Sequence, residues 1–251
     1  LLEGGWLRRF ALGLERWLLG RFASVSSISD NMCRRLAEKG VAEDRVQFLP
    51  NWVDTNVIRP LDDSTAIRAE FGVPADALVA LYAGNMNTKQ GIETIIEAAR
   101  MMPADADVCF VIAGDGPSRT GLEAMAGGLG NVQFLALQPT EKLNRLLNLA
   151  DIHLLPQLAG AADLVMPSKL TGMMASGGPA VALAAPGTQI AAQVARFGLV
   201  VAPEDPAALT AAIQQLAGDE GERQRLGIEA RRIAVQTLDR TSVLQGLRDR
   251  L

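Results

Sequence analysis

Histidine and cysteine are nearly missing from this chain, and each shortage narrows the chemistry open to it. His153 is the single histidine, so a Ser-His-Asp triad or a histidine-rich metal site would have to be built on that one residue. Cys33 and Cys109 are the only cysteines and lie far apart, which argues against a disulfide framework and suits a reducing, cytoplasmic setting. Aromatic residues make up 4% of the 251 positions, leaving Ala and Leu to fill much of the core. The formal net charge is -4, so no global basic field points toward nucleic acid. No apolar run reaches the roughly 18 uninterrupted residues of a membrane-spanning helix. The opening Leu1-Leu2-Glu3-Gly4-Gly5 has neither an initiator Met nor the segregated regions of a signal peptide. The chain is therefore expected to begin inside a longer protein.

What is present is apolar and periodic. Hydrophobic residues make up 49% of the chain, enough to bury one full domain and part of another. Short β-branched runs at 79–83, 108–113, 132–135, 152–156, 180–183 and 199–202 read as strands covered on both faces. Helical patterns fall between them, at about 91–102, 118–129, 140–150, 168–176 and 188–195, the alternation of a parallel sheet. Thr140 reads as an N-cap, and 205–216 and 220–251 read as two further helices. The first fifty residues hold a helix at 6–22, a strand at 24–28, a helix at 30–39 closed by Gly40, and a strand at 46–49. The stretch from Pro50 through Pro60 to Ser64 is rich in turn formers and reads as a hinge. The expected organisation is the end of one domain at 1–50, a hinge at 51–63, a doubly wound α/β domain at 64–235, and a C-terminal helix at 236–251 packing back on the first part.

Three segments carry chemical promise. The strand that ends in Tyr82-Ala83 passes through Gly84-Asn85-Met86-Asn87-Thr88-Lys89-Gln90-Gly91 into a helix. A helix start at the carboxyl end of such a strand offers free N–H groups and a positive dipole to an anion, and Lys89 adds a full charge. An ordinary turn with an exposed lysine fits the same residues. The spacing matches neither a Walker A loop nor G-x-G-x-x-G, which disfavours a nicotinamide-dependent dehydrogenase. The second segment, Gly114-Asp115-Gly116-Pro117, reads first as a tight turn after a strand. In the third, Asp163 through Pro179, the Pro167-Ser168 pair starts a helix and places Ser168 and Lys169 at another positive end. Two such helix starts suit a diphosphate.

Other features have bland readings. Asp105-Ala106-Asp107 matches a D-x-D metal motif, but it precedes a strand and so lies at the edge away from ligands. His153 sits in an apolar strand and reads as a core histidine. Trp6, Phe10, Leu14, Trp17 and Leu18 recur at helical spacing among Arg8, Arg9, Arg16 and Arg21. That stripe fits either core packing, which is favoured, or an interfacial helix at the inner face of the cytoplasmic membrane.

Taken in order, these pieces resemble the family 4 glycosyltransferases of GT-B architecture. The hinge Leu49-Pro50-Asn51-Trp52-Val53-Asp54, the Gly84–Gly91 loop, the Gly114–Pro117 turn and the strand from Val132 all keep the family's order. The resemblance implies a GT-B Rossmann-like donor domain plus a remnant of the N-terminal acceptor domain, with the rest of that domain missing in cis. It implies phosphate contacts from Gly84, Asn85, Gln90, Gly91, Ser168, Lys169 and Leu170, base contacts from Gly114, Leu137 and Gln138, and a sugar contact from Asp163. Lys89 becomes the implied catalytic cation stabilising the leaving phosphate, with no metal and no further cofactor, in a retaining transfer.

The sequence departs from the family pattern where charge is usual. Asn85 and Gln90 replace the customary Arg and Lys, and Leu164 and Gly172 stand where an E-x7-E element would have its carboxylates. These departures resemble the colanic-acid and O-antigen branch, which carries G-N-(x)4-Q-G and P-S-K-L stretches. The implied partners are a GDP- or UDP-linked sugar and a polysaccharide or lipid-linked acceptor. Two other readings remain open: a nucleotide-sugar 2-epimerase-like enzyme, and a non-catalytic nucleotide-binding domain. The chain alone is expected to bind donor weakly and to transfer nothing.

Overall fold

The computed structural model describes residues 5–161 and 167–250. Its centre is a six-stranded sheet built from β3 (Leu78–Ala83), β4 (Val108–Ala113), β5 (Val132–Leu135), β6 (Ile152–Pro156), β7 (Ala180–Leu183) and β8 (Gly198–Val201). Every pairing is parallel, and the order is β5-β4-β3-β6-β7-β8. The chain winds outward from β3 in one direction and from β6 in the other. The β3–β6 boundary is therefore the switch point, where the loops leave toward opposite faces and open a crevice at the carboxyl ends.

The near-continuous apolar character of the strands follows from cover on both sides. Ala80, Tyr82, Phe110 and Ile112 point to one face, under α4 (Glu93–Met101) and α9 (Pro206–Ala217). Val79, Leu81 and Val111 point to the other, under α3 (Ser64–Phe71) and α6 (Leu143–Leu147). Farther along the sheet α7 (Lys169–Ser176), α8 (Gln189–Val194) and α10 (Glu220–Ile233) enclose a third cluster around Leu155, Ala180 and Ala182. The remaining crossover helix is α5 (Arg119–Met125).

The N-terminal segment makes its own two-stranded parallel sheet, β1 (Val25–Ser27) with β2 (Val46–Phe48), around α2 (Asp30–Glu38). It is preceded by α1 (Gly5–Leu19), whose Trp6, Phe10 and Trp17 are exposed at 77%, 66% and 55%. The segment connects to the main sheet through residues 49–63 and lies beside α11 (Arg240–Arg248), where Arg250 donates to Phe48 O at 3.4 Å.

Several helix boundaries differ from the sequence reading, each for a local reason. The turn-rich stretch at Asp62-Asp63 opens α3, because Asp63 Oδ1 caps Ala66 N and Gly72, at φ 66°, closes the helix. Thr140 does not cap a helix. Pro139 precedes a 3-10 turn at Thr140–Lys142, and the α-helix begins only at Leu143. The helix expected from about 91 starts at Glu93, after a 3-10 turn at Thr88–Gln90 that ends on the left-handed Gly91. The helix expected through 220–251 breaks at a wide π turn, Ala234–Leu238. There Val53 inserts beside the chain, donating to it and accepting from it: Val53 N reaches Leu238 O at 2.9 Å, and Arg240 N reaches Val53 O at 2.9 Å.

Candidate functional site

Two glycine turns meet at the carboxyl end of the sheet. Gly84 follows β3 and Gly114 follows β4, and the strands' hydrogen bonding continues into the turns through Gly84 N to Ala113 O at 2.9 Å. Gly114 has φ 141°, and a Cβ there would overlap Gly84 O, so only glycine allows the two backbones this approach. Met86 N donates to Asp115 O at 2.8 Å and Ser118 N to Met86 O at 3.0 Å, locking the turns together. Beside them opens a cleft of about 360 Å³ whose walls include Gly84, Gly114, Leu137, Gln138, Ser168 and Lys169. Val53, Ile58, Leu143, Leu146 and Leu147 make the remainder mostly apolar.

Lys169 crosses the switch point. It starts α7, beyond β6, yet its Nζ lies 3.2 Å from the Tyr82 hydroxyl of β3 and 3.2 Å from Gln90 Oε1. The ammonium also stands 4.3 Å from the centroid of the Tyr82 ring. Burial lowers its pKa to about 8, and the same burial raises that of Tyr82. The arrangement is a cation held by neutral groups at the mouth of an apolar cleft, next to backbone N–H groups of a helix start. Such a site attracts an anion and has room for a flat or hydrophobic moiety beside it.

The other residues named from sequence fall in different places. Lys89 is exposed on the Thr88–Gln90 turn and does not line the cleft. Asn85 is exposed, with its side-chain oxygen against Gly116, and Gln90 meets the cleft only through Lys169. Gly91 packs against Leu158, and Leu170 is buried in the core at 3% exposure. Ser168 is exposed at the head of α7 and its side chain makes no capping bond. Gly172 lines the cleft with bare Cα where a carboxylate was sought. Asp163 lies outside the described residues. The D-x-D residues form the turn before β4, at the sheet's opposite edge, with Asp107 at φ 44°. His153 is fully buried, its Nε2 at 3.1 Å from Ser176 Oγ. Tyr82 is the residue that the sequence did not flag. Its one signal is a hydroxyl in an otherwise aliphatic strand.

Residues 63–233 match the family model described as glycosyl transferases group 1. The chain is 38% identical, across 97% of its length, to WcaI of Escherichia coli K12, a glycosyl transferase assigned to colanic acid biosynthesis. It is 31% identical, across 90% of its length, to the D-inositol 3-phosphate glycosyltransferase of Geodermatophilus obscurus. It spans 60% and 52% of the lengths of these two relatives. Among solved structures, HepE of Anabaena in complex with UDP-glucose superposes with a TM-score of 0.80 at 20% identity, over 95% of this chain and 66% of that one. WaaG, a glycosyltransferase of lipopolysaccharide biosynthesis, superposes with a TM-score of 0.68 at 21% identity, over 87% of this chain and 61% of that one. At these identities the structural likeness establishes the fold, which is that of the GT-B glycosyltransferases.

Proposed function

Since the chain belongs to the group 1 glycosyltransferases, we propose that its cleft receives the nucleoside diphosphate of an activated sugar and that Lys169 faces the leaving phosphate. The observation that carries this reading is the Lys169 ammonium, largely withdrawn from water and without a carboxylate partner among the described residues, at the switch point of the sheet. Departure of a nucleoside diphosphate leaves negative charge on its terminal phosphate. A preorganised cation and helix N–H groups stabilise that charge in a site where solvent is scarce. Base and ribose would lie along Gly114, Leu137 and Gln138, whose apolar surroundings suit a flat ring.

The reaction we propose for the complete protein is transfer of a hexose from a UDP- or GDP-linked donor to a polysaccharide or lipid-linked acceptor, without a metal ion. This assigns the phosphate cation to Lys169 in place of Lys89, which is exposed and does not line the cleft. A thermal-shift panel of UDP-, GDP- and dTDP-sugars tests it. At least one donor should raise the melting temperature, with or without chelator, and Lys169→Ala should remove the shift while Lys89→Ala keeps most of it. A panel with no shift, or a shift indifferent to Lys169→Ala, would sink the reading.

A further inference from the structure

A carboxylate is the ordinary companion of a cation withdrawn from water, because an unpaired charge in a poorly solvated site is costly. Among the described residues Lys169 has no such companion and is held differently. The Tyr82 hydroxyl donates its own proton to Asn85 O at 2.6 Å, so its oxygen is left to accept from the ammonium. Gln90 brings its Oε1 from the turn on the other side, at 3.2 Å. Gly84 completes the seat by lacking a side chain, since a Cβ there would come within 3.2 Å of Nζ. Every one of these contacts is neutral. On the adjoining turns Asp115 forms no ion pair with Lys169, whose pKa is moved by burial alone, and Lys89 carries a like charge. Tyr82 is the titratable group packed against it, and burial keeps that phenol protonated.

We propose that Tyr82 and Gln90 are positioning residues that aim Lys169 at the donor's diphosphate while leaving its charge uncompensated until the diphosphate arrives. This rests on the reading of the cleft as the donor site. The incoming anion then supplies the missing counter-charge without first displacing a carboxylate. One consequence is that binding depends on the lysine's proton. Lys169 gives that proton up at about pH 8, so the cation is present below this value and lost above it. At pH 9 about one site in ten remains charged, and affinity for a diphosphate should be about tenfold weaker than at pH 7.

Calorimetric titration with UDP and with GDP, from about pH 7 to about pH 8.8, reads this directly, because the diphosphate no longer titrates there and the bases still keep their ring protons. Wild-type affinity should fall through an alkaline limb centred near pH 8. Tyr82→Phe keeps the ring but removes the acceptor, and should move the limb to lower pH. Gln90→Glu places a carboxylate against the ammonium, and should move the limb to higher pH while weakening binding at pH 7. A purely structural role would lower affinity equally at every pH. Superimposable limbs in wild type and both variants would overturn the positioning role. Melting curves report folding, and if Tyr82→Phe does not fold, Gln90→Glu at its part-exposed position decides alone. Lys169→Ala separates the two levels. Undiminished binding by that variant, or no binding of either nucleotide by wild type, sinks the donor-site reading itself. Weak binding by it with unmoved limbs elsewhere sinks only the positioning role.

Discussion

His153 shows how a single side chain writes a pH dependence into the fold. It is enclosed between β3 and β7, with Nε2 against Ser176 Oγ, and burial lowers its pKa from 6.5 to about 3. Between those two values the unfolded chain binds a proton that the folded chain refuses, so stability falls as pH drops below about 6.5. The slope is about 1.4 kcal/mol per pH unit, which amounts to about 2 kcal/mol at pH 5. His153→Gln removes the titration, so urea unfolding at pH 7.5 and pH 5 should show wild type losing about 2 kcal/mol more than the variant. Equal losses would mean that the imidazole is protonated in the native state. At this scale the sequence was legible where a residue's role is local. The glycine turns at Gly84 and Gly114 and the helix start at Ser168-Lys169 are marked by their own residue types, and the structure brings them to one cleft. Tyr82 was not legible, because a tyrosine in an apolar strand reads as core filling. Its hydroxyl acquires a role only when Lys169, distant in sequence, folds across it.

The elements follow the same division between local and distant causes. The strands announced themselves, since burial on both faces demands apolar runs and the helices between them are set by parallel crossovers. The C-terminal helix did not. Its sequence reads as continuous, and the interruption at Ala234–Leu238 depends on Val53 engaging the backbone there. Arg231, on α10, fastens the same hinge: its Nη1 donates to Ile58 O at 2.9 Å and to Ala175 O at 2.8 Å, and its Nη2 to Thr55 O at 2.9 Å. One guanidinium thus ties the hinge and the end of α7 to α10. Thr55 Oγ1 also donates to Asp239 Oδ2 at 2.6 Å, which holds that carboxyl below the usual range while it caps α11. Arg231→Met keeps the aliphatic stem and strands three carbonyls, at a cost of about 2–3 kcal/mol in urea unfolding. A change below about 0.5 kcal/mol would show that water replaces the guanidinium without loss.

At the scale of the whole molecule, the two sheets of the described residues share no strand pairing, and they differ in what they are able to do. The six-stranded sheet directs all its carboxyl ends to one side, where the Gly84 and Gly114 turns, Ser168 and Lys169 converge. The β1–β2 sheet contributes no residue to the lining of that cleft, which comes from position 53 onward. Donor binding should therefore be a property of the larger unit alone. Hydrogen exchange in the presence of a UDP-sugar should protect residues 84–91, 114–118 and 167–172 and leave 25–48 unchanged. Transfer is a different matter, because it needs a second surface to present the acceptor against the donor's anomeric carbon. The chain spans 60% of the length of a relative to which it is 38% identical. We expect this chain to bind donor without moving its sugar to a polysaccharide or lipid-linked acceptor. Radiolabelled sugar appearing on acceptor with this chain alone would show that the cleft and its immediate surroundings suffice for catalysis. Protection spreading into 25–48 would instead place part of the donor against the smaller sheet.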